Sequence, residues 1–386
     1  MAAANDGLLK FELPEIIYGS GCLSKIGQCS IRLGAERIFF VTDPGIIEAG
    51  WVAESIRYIE KENLNYTIYD NVVTNPRDFQ VEKGAQVYLQ NECDVIVALG
   101  GGSPIDTAKG VAILVTNHGS IHDYVGCNIV NQPIPPLICI PTTAGTGSDV
   151  SQFAVILDTQ EKIKMTILSR AIMPDISLID PRLLKTKPGE LIAATGMDAL
   201  THAIEAYVSS LAWPLTDPHA LHAISLVFIH LVEATYTRSS KALEGMAIAS
   251  LEAGIAFSNA ILGAVHALAH PLGGLYDLHH GLANAILLPM VVKKNMEHAY
   301  EKFAGIANAM GADTRGKSAR EAAEQVPRLI EALIAKLKMP THLSEVGVRY
   351  EDIPRMAKEA QQDLCMLTNP HRYDIDEIEK MYIEAW

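Results

Sequence analysis

The sequence contains no C-x-x-C pair; its six cysteines, Cys22, Cys29, Cys93, Cys127, Cys139 and Cys365, are scattered. That excludes a zinc ribbon or a compact disulfide framework, and reduced thiols in a cytoplasmic protein are the simplest expectation. Basic residues are few: 31 Lys and Arg stand against 45 Asp and Glu, a formal net charge of −14. Such a chain lacks the basic patch that non-specific nucleic-acid binding or an anionic lipid surface demands, so neither nucleic acid nor membrane is an expected partner. No apolar run approaches the ~20 residues of a transmembrane helix. The opening Met-Ala-Ala-Ala-Asn-Asp has neither the basic region nor the apolar core of a signal peptide. Also missing are the G-x-G-x-x-G fingerprint, the Gly-Lys-Ser/Thr ending of a P-loop, internal repeats and any long linker.

The 386 residues suffice for two domains with separate cores. Up to about Asp180, apolar β-rich runs alternate with helical patterns. Arg37–Asp43, Tyr66–Tyr69, Asp94–Leu99, Pro136–Ile140, Phe153–Leu157 and Ile176–Ile179 read as strands, with helices over 51–60 and 106–116. Strands alternating with helices predict a parallel sheet covered on both faces. From Pro188 the texture changes to Ala, Leu, Glu and Ile at helical period, over 191–209, 221–233, 241–263, 301–310 and 318–338. The reading is an α/β N-terminal domain over 1–187 and an all-helical C-terminal domain over 188–386. The two pack closely, and ligands favour the cleft between such halves.

Three segments of the helical half carry chemistry. In Gly196-Met-Asp-Ala-Leu-Thr-His-Ala-Ile-Glu-Ala-Tyr207, Asp198 and His202 are four apart in a helical pattern and leave one face of one helix. His266 and His270 repeat the spacing in Gly263–Gly274, and His280 follows His266 by fourteen residues, beyond a Gly/Asp-containing turn. A carboxylate and several imidazoles on apolar helices suit a divalent metal with oxygen and nitrogen ligands. A single such histidine is more often a hydrogen-bonded core or surface residue, and an Asp four residues before a His is also an ordinary helix pair.

In the first half, Gly100-Gly-Gly-Ser-Pro-Ile-Asp106 follows the strongest strand and opens a helix. Glycines let a ligand approach the backbone, and the exposed N–H groups at a helix start suit a pyrophosphate. Without a ligand the same residues make a tight strand-to-helix turn. Pro141-Thr-Thr-Ala-Gly-Thr-Gly-Ser-Asp149 also leaves a strand end, where α/β sheets bind ligands. Asp43 ends another strand. It either caps a helix before Pro44-Gly45 or accepts from a ribose diol, which would favour NAD over NADP.

In these motifs the chain resembles the iron-containing (group III) alcohol dehydrogenases, which include lactaldehyde:propanediol oxidoreductases, 1,3-propanediol dehydrogenases and butanol dehydrogenases. The likeness runs from Pro14-Glu-Ile-Ile-Tyr-Gly-Ser-Gly21 to Asn369-Pro370 and includes all the segments quoted. It implies the dehydroquinate synthase-like fold: a dinucleotide-binding parallel sheet, then an all-helical metal- and substrate-binding domain. It implies Asp198, His202, His266 and His280 as ligands of one metal, usually Fe²⁺. It implies Asp43, Asn75, Gly100, Gly101, Gly102, Ser103, Pro104, Asp106, Thr142, Thr143, Thr146 and Lys164 as dinucleotide contacts, and His270 as the histidine near the reacting carbon. Phe257 and Cys365 resemble residues bordering the substrate pocket. His279 stands where many members have proline, and His280 takes the ligand role because it directly precedes Gly281. The tail Asp363–His371 follows the pattern only loosely. The strand-forming segment Leu8–Ile17 is expected to pair across a homodimer or higher oligomer, as in family members.

The reaction so implied is reversible oxidation of a small primary alcohol or diol to its aldehyde with NAD. The metal acts as Lewis acid, and His270 relays the proton, since imidazoles titrate near neutral pH. The ligand set suits Zn²⁺ as well as Fe²⁺, so a zinc-dependent polyol oxidation of the glycerol dehydrogenase type stays open. So do a dehydroquinate synthase-type lyase, which would need a basic pocket for an anionic substrate, and a non-catalytic metal- or nucleotide-binding protein.

Overall fold

The computed structural model describes residues 10–386. Among the described residues nine strands form two sheets. β1 (Glu15–Tyr18), β2 (Arg37–Val41), β3 (Asn65–Tyr69), β4 (Val95–Gly100), β6 (Leu137–Pro141) and β9 (Ile176–Ile179) make one sheet in the order β1-β9-β6-β4-β2-β3. Every pairing in it is parallel. The helices α1 (Ile26–Arg32), α2 (Pro44–Glu48), α3 (Trp51–Lys61), α4 (Asp78–Gln90) and α5 (Gly102–Asn117) join these strands. After Arg37, β2 is apolar throughout because both faces are covered. Ile38 and Phe40 enter the core on one side of the sheet, Phe39 and Val41 the core on the other.

From β2 the chain adds β3 on one side, then returns to place β4, β6 and β9 on the other. The winding therefore reverses between β2 and β4, which is where an open α/β sheet leaves a crevice beyond its carboxyl ends. Gly100 pairs with Pro141 at the end of β4 and β6, so the two ligand-suited loops leave the sheet side by side.

The second sheet departs from expectation. β7 (Phe153–Asp158) was counted with the parallel set, but it pairs antiparallel with β8 (Ile163–Leu168), a strand the sequence reading did not contain. The short β5 (Gly126–Cys127) completes the order β5-β8-β7. Only the few residues 159–162 separate the two strands, room for a hairpin turn and not for a crossover helix. Of the segment expected to pair across a dimer, Leu8 and Leu9 lie outside the described residues. Glu15–Tyr18 pairs within the chain, along β9.

From residue 189 the chain is helical: α6 (Gly189–Val208), α7 (Asp217–Tyr236), α8 (Ser240–Ala260), α9 (Ala264–Tyr276), α10 (His280–Asn295), α11 (Tyr300–Ala309), α12 (Ala319–Ala323), α13 (Val326–Leu337), α14 (Ile353–Gln362) and α15 (Ile375–Ala385). The single helix expected over 318–338 is two, because Pro327 lacks the N–H an unbroken helix needs and sits in the first turn of α13. Helix α5 begins at Gly102, not Asp106, with Gly101 as its N-cap. Among the described residues no single helix is long and apolar enough to cross a membrane. Only α8 and α9 taken together meet both the length and the hydropathy, and they are bent by 103° at their junction.

Candidate active site

That bend aims the histidines. Ile261, which ends α8, takes φ 62° and ψ −173°, a backbone region strained by about 1–3 kcal/mol for a β-branched residue. Gly263 then caps α9, which packs against α10 and α14. Asp198 and His202 leave α6, His266 and His270 leave α9, and His280 opens α10. The Nε2 atoms of His202, His266 and His280 each lie 3.9 Å from Asp198 Oδ1. Metal–ligand bonds of about 2.0–2.2 Å put the donors of a tetrahedral shell about 3.3–3.6 Å apart. The separations from Asp198 stand just above that, and Asp198, His202 and His266 have their ligand atoms all within 4.8 Å of one another, with His280 Nε2 approaching the same carboxylate oxygen.

Their chemistry agrees. Burial first, and neighbouring cationic groups second, hold the His266 and His280 imidazoles well below their ordinary pKa, so both are neutral with a lone pair to give. His202 Nδ1 faces the carbonyl of Gly145 at 3.1 Å, which leaves Nε2 as the ligating nitrogen. His266 Nδ1 lies 2.5 Å from Glu205 Oε2, while Glu205 Oε1 accepts the Val265 N–H at 2.6 Å. Burial raises the Glu205 carboxyl to about 7 against those backbone hydrogen bonds, and a cation beyond His266 would favour its ionised form. Asn284, one turn after His280, donates to Asp198 Oδ1 at 2.7 Å.

The centre lies in a cleft of about 680 Å³ between the sheet's carboxyl end and the helices. His270 lines it, its ring stacked on His280 with centroids 5.5 Å apart and its Nδ1 2.6 Å from Asp363 Oδ2. Phe257 stacks on His202 at 4.5 Å and, with the buried Cys365, borders the metal end. Gly101, Gly102, Ser103, Pro104 and Asp106 line the other end with Thr143 and Thr146. A Cβ at Gly102 would meet Thr146 Cγ2 at 2.9 Å, and one at Gly101 would meet Thr143 at 3.3 Å. The two loops touch so closely that a side chain at Gly102 would push Thr146 aside, and one at Gly101 would crowd Thr143.

Two of the residues expected at the dinucleotide stand behind those that line the cleft. Gly100 and Thr142 do not line the cleft. Gly100 ends β4 packed on Pro104, and Thr142 is buried with its N–H donated to the Gly100 carbonyl at 2.9 Å. They form the wall behind the loops, since successive residues of a strand end face opposite sides. Asp43 caps α2 through the Ile46 N–H at 3.0 Å and also lines the cleft. Asn75 is at the mouth, but its amide donates to Asp277 Oδ1 at 2.6 Å, alongside an Arg77–Asp277 ion pair at 2.9 Å. Lys164, from β8, reaches the cleft wall. Burial lowers its amine to about 8, opposed by the Asp198, Asp106 and Asp277 carboxylates.

Sequence reasoning missed Glu205, Asn284, Asp363 and Lys109. Glu205 and Asn284 had a signal, since they sit three residues after His202 and four after His280 on the ligand-bearing faces. Lys109 is fully buried in α5, and its Nζ donates to the Ser148, Ser151 and Phe153 carbonyls, each at 2.7 Å. Three acceptors need three N–H donors, which only the ammonium form has. Burial pushes that charge toward neutrality, and Asp106 and Asp149 oppose it. The result clamps the threonine loop onto the glycine-loop helix.

Known proteins resemble this chain along its length. A family model described as iron-containing alcohol dehydrogenase matches residues 14–181, and one for the C-terminal part of the Fe-containing alcohol dehydrogenase family matches 192–386. The chain is 42% identical over 383 residues to a 1,3-propanediol dehydrogenase of Citrobacter freundii, covering 98% of this chain and 99% of that one. It is 38% identical to an NAD-dependent methanol dehydrogenase of Bacillus methanolicus, covering 96% and 98%. A crystal structure of a 1,3-propanediol oxidoreductase superposes with a TM-score of 0.95 at 41% identity, covering 98% of this chain and all of that one. Matching the family models and these relatives along nearly its whole length, the chain belongs to the iron-containing alcohol dehydrogenase family and is an oxidoreductase of that kind.

Proposed function

We propose that the protein reversibly oxidises a small primary alcohol or diol to the aldehyde with NAD, using Fe²⁺ held by Asp198, His202, His266 and His280. The observation that carries the reading is the set of three Nε2 atoms, each 3.9 Å from one Asp198 oxygen, in the same cleft as the glycine loop. When bound, the cation supplies Lewis acidity toward the alcohol oxygen and the dinucleotide supplies the hydride acceptor. Gly101–Ser103, Thr143 and Thr146 bind and orient the dinucleotide. Asp43 favours NAD because a carboxylate at that strand end accepts from a ribose diol and repels a 2′-phosphate. Phe257, Leu262 and Cys365 make a small, partly apolar space beside the centre. His270 takes the alcohol proton and passes it to solvent, so one hydride and one proton leave the substrate together.

A small alcohol is favoured over an anionic lyase substrate because the cleft's lining has only two cations, Lys164 and Lys187. The division into a cofactor-binding 1–187 and a metal-binding 188–386 belongs to the same reading, as do a homodimer and a cytoplasmic location, the last supported by six free thiols. The test uses protein purified without oxygen. Metal content is measured with NADH formation from ethanol, 1-butanol, 1,2-propanediol and 1,3-propanediol, before and after adding Fe²⁺ or Zn²⁺. Turnover that follows iron at about one metal per chain is the expected result. Silence with every alcohol in the iron-loaded protein would overturn the reading.

A further inference from the structure

We infer that Asp363 is a positioning residue that holds His270 in the Nδ1–H tautomer and so presents a basic Nε2 to the cleft. The inference rests on the proton-relay role proposed above. Asp363 reaches His270 from 93 residues further along the chain, at the head of the 3₁₀ turn Leu364–Thr368. Its two oxygens are divided between two donors. Oδ2 faces His270 Nδ1 at 2.6 Å, and Oδ1 accepts the Cys365 N–H at 2.8 Å.

Burial alone would raise this carboxyl, but the adjacent His270 ring and the Cys365 N–H outweigh it and hold Asp363 below the ordinary carboxylate value. At neutral pH it is therefore a pure acceptor, and the ring nitrogen facing it must carry the hydrogen. A neutral imidazole has one hydrogen, so Nε2 keeps its lone pair. The ring has little freedom to turn over. It stacks on His280 at an interplanar angle of 16° and meets His266 edge-on with centroids 6.3 Å apart. His280 and His279 differ from it, since their Nδ1 atoms are buried without a partner.

The division of the two oxygens makes the consequence of one substitution specific. An asparagine at 363 must turn its carbonyl oxygen to the Cys365 N–H, because that backbone donor cannot be changed. Its NH₂ group then faces His270 Nδ1 as a donor. The ring satisfies it by moving its hydrogen to Nε2, where it can no longer accept the alcohol's proton. Asp363→Gln offers no such constraint, while Asp363→Glu keeps an acceptor-only group.

The test compares wild type, Asp363→Asn and Asp363→Glu as full-length, metal-loaded enzymes. In Asp363→Asn, kcat for alcohol oxidation is expected to fall by about 100-fold or more, the usual worth of a general base. KM for NAD and metal content per chain should change less than about threefold, and Asp363→Glu should recover part of the lost kcat. Histidine-selective ¹⁵N NMR of the zinc-loaded proteins, with His270→Ala to assign the signals, reads the tautomer directly. Protonated Nδ1 in the wild type and protonated Nε2 in Asp363→Asn are the expected pair. A wild-type ring protonated at Nε2, or one unchanged in Asp363→Asn, would overturn the inference even in a fully active enzyme. Wild type silent with all alcohols would overturn the proposed function instead, since the spectra do not depend on turnover.

Discussion

Lys164 gives the sharpest test of how the cleft trades stability for cofactor binding. Its ammonium lies against α9, where a Cβ at Gly273 would meet Lys164 Nζ at 2.7 Å. Burial lowers its pKa from 10.5 to about 8 despite three carboxylates nearby. A lysine whose folded pKa is depressed costs stability wherever it is charged in both states, here at pH 7. That cost disappears as pH rises from about 8 toward the unfolded value. The gap corresponds to roughly 3 kcal/mol, and water in the cleft reduces it to on the order of 1–2 kcal/mol. Lys164→Met keeps the length of the side chain and removes the charge. Urea unfolding of the metal-loaded, NAD-free variant at pH 7 should therefore show a gain of about 1–2 kcal/mol that fades above pH 8. A lost charge-assisted hydrogen bond of about 1.5–3 kcal/mol should meanwhile raise KM for NAD about tenfold or more. Wild-type KM should climb toward the variant's as pH passes 8. A variant that is less stable at pH 7, with KM for NAD unchanged, would refute both halves: the ammonium would then be a net stabilising partner of Asp198, Asp106 and Asp277 and no part of the cofactor site.

Glu205→Gln must place its NH₂ against either the Val265 N–H or the His266 ring, because both carboxylate oxygens now face donors. Competition with a chelator should show metal affinity reduced about 10–100-fold with KM for NAD unchanged. Asp198→Asn should abolish the stabilisation that added metal confers, which for wild type at a hundred times Kd is about 2.7 kcal/mol, read as a rise in Tm. Lys109→Met leaves three buried carbonyls and Asp106 without their cation. It should cost about 3–5 kcal/mol in urea unfolding, and proteolysis should begin near Ser148–Phe153.

Much of the site was legible where chemistry and spacing are local. Asp198 and His202, or His266 and His270, share a helix face by geometry alone, and the glycines after β4 announce a close approach. What stayed hidden were contacts with no local trace. β7 was read into the parallel sheet because a buried apolar strand has the same pattern in either direction, and its antiparallel partner β8 went unread. Asn75 was expected at the cofactor, and only the packed structure shows its amide committed to Asp277 across the cleft mouth.

By itself the sequence determined the classes of element, the change of texture near residue 188 and the residue types able to hold a metal and a dinucleotide. The hydrophobic period and the backbone demands of glycine and proline act over a few residues and are read within a few residues. Tertiary structure alone decided which histidine nitrogen faces inward, which of Gly100, Thr142 and Thr143 meets the cleft, and which acid stands behind each ring. Those facts depend on strand register, on the 103° turn between α8 and α9, and on partners such as Asp363, 93 residues from His270. A separation of 3.9 Å between ligand atoms on different helices is the outcome of packing three helices against one another, and no spacing along the chain encodes it.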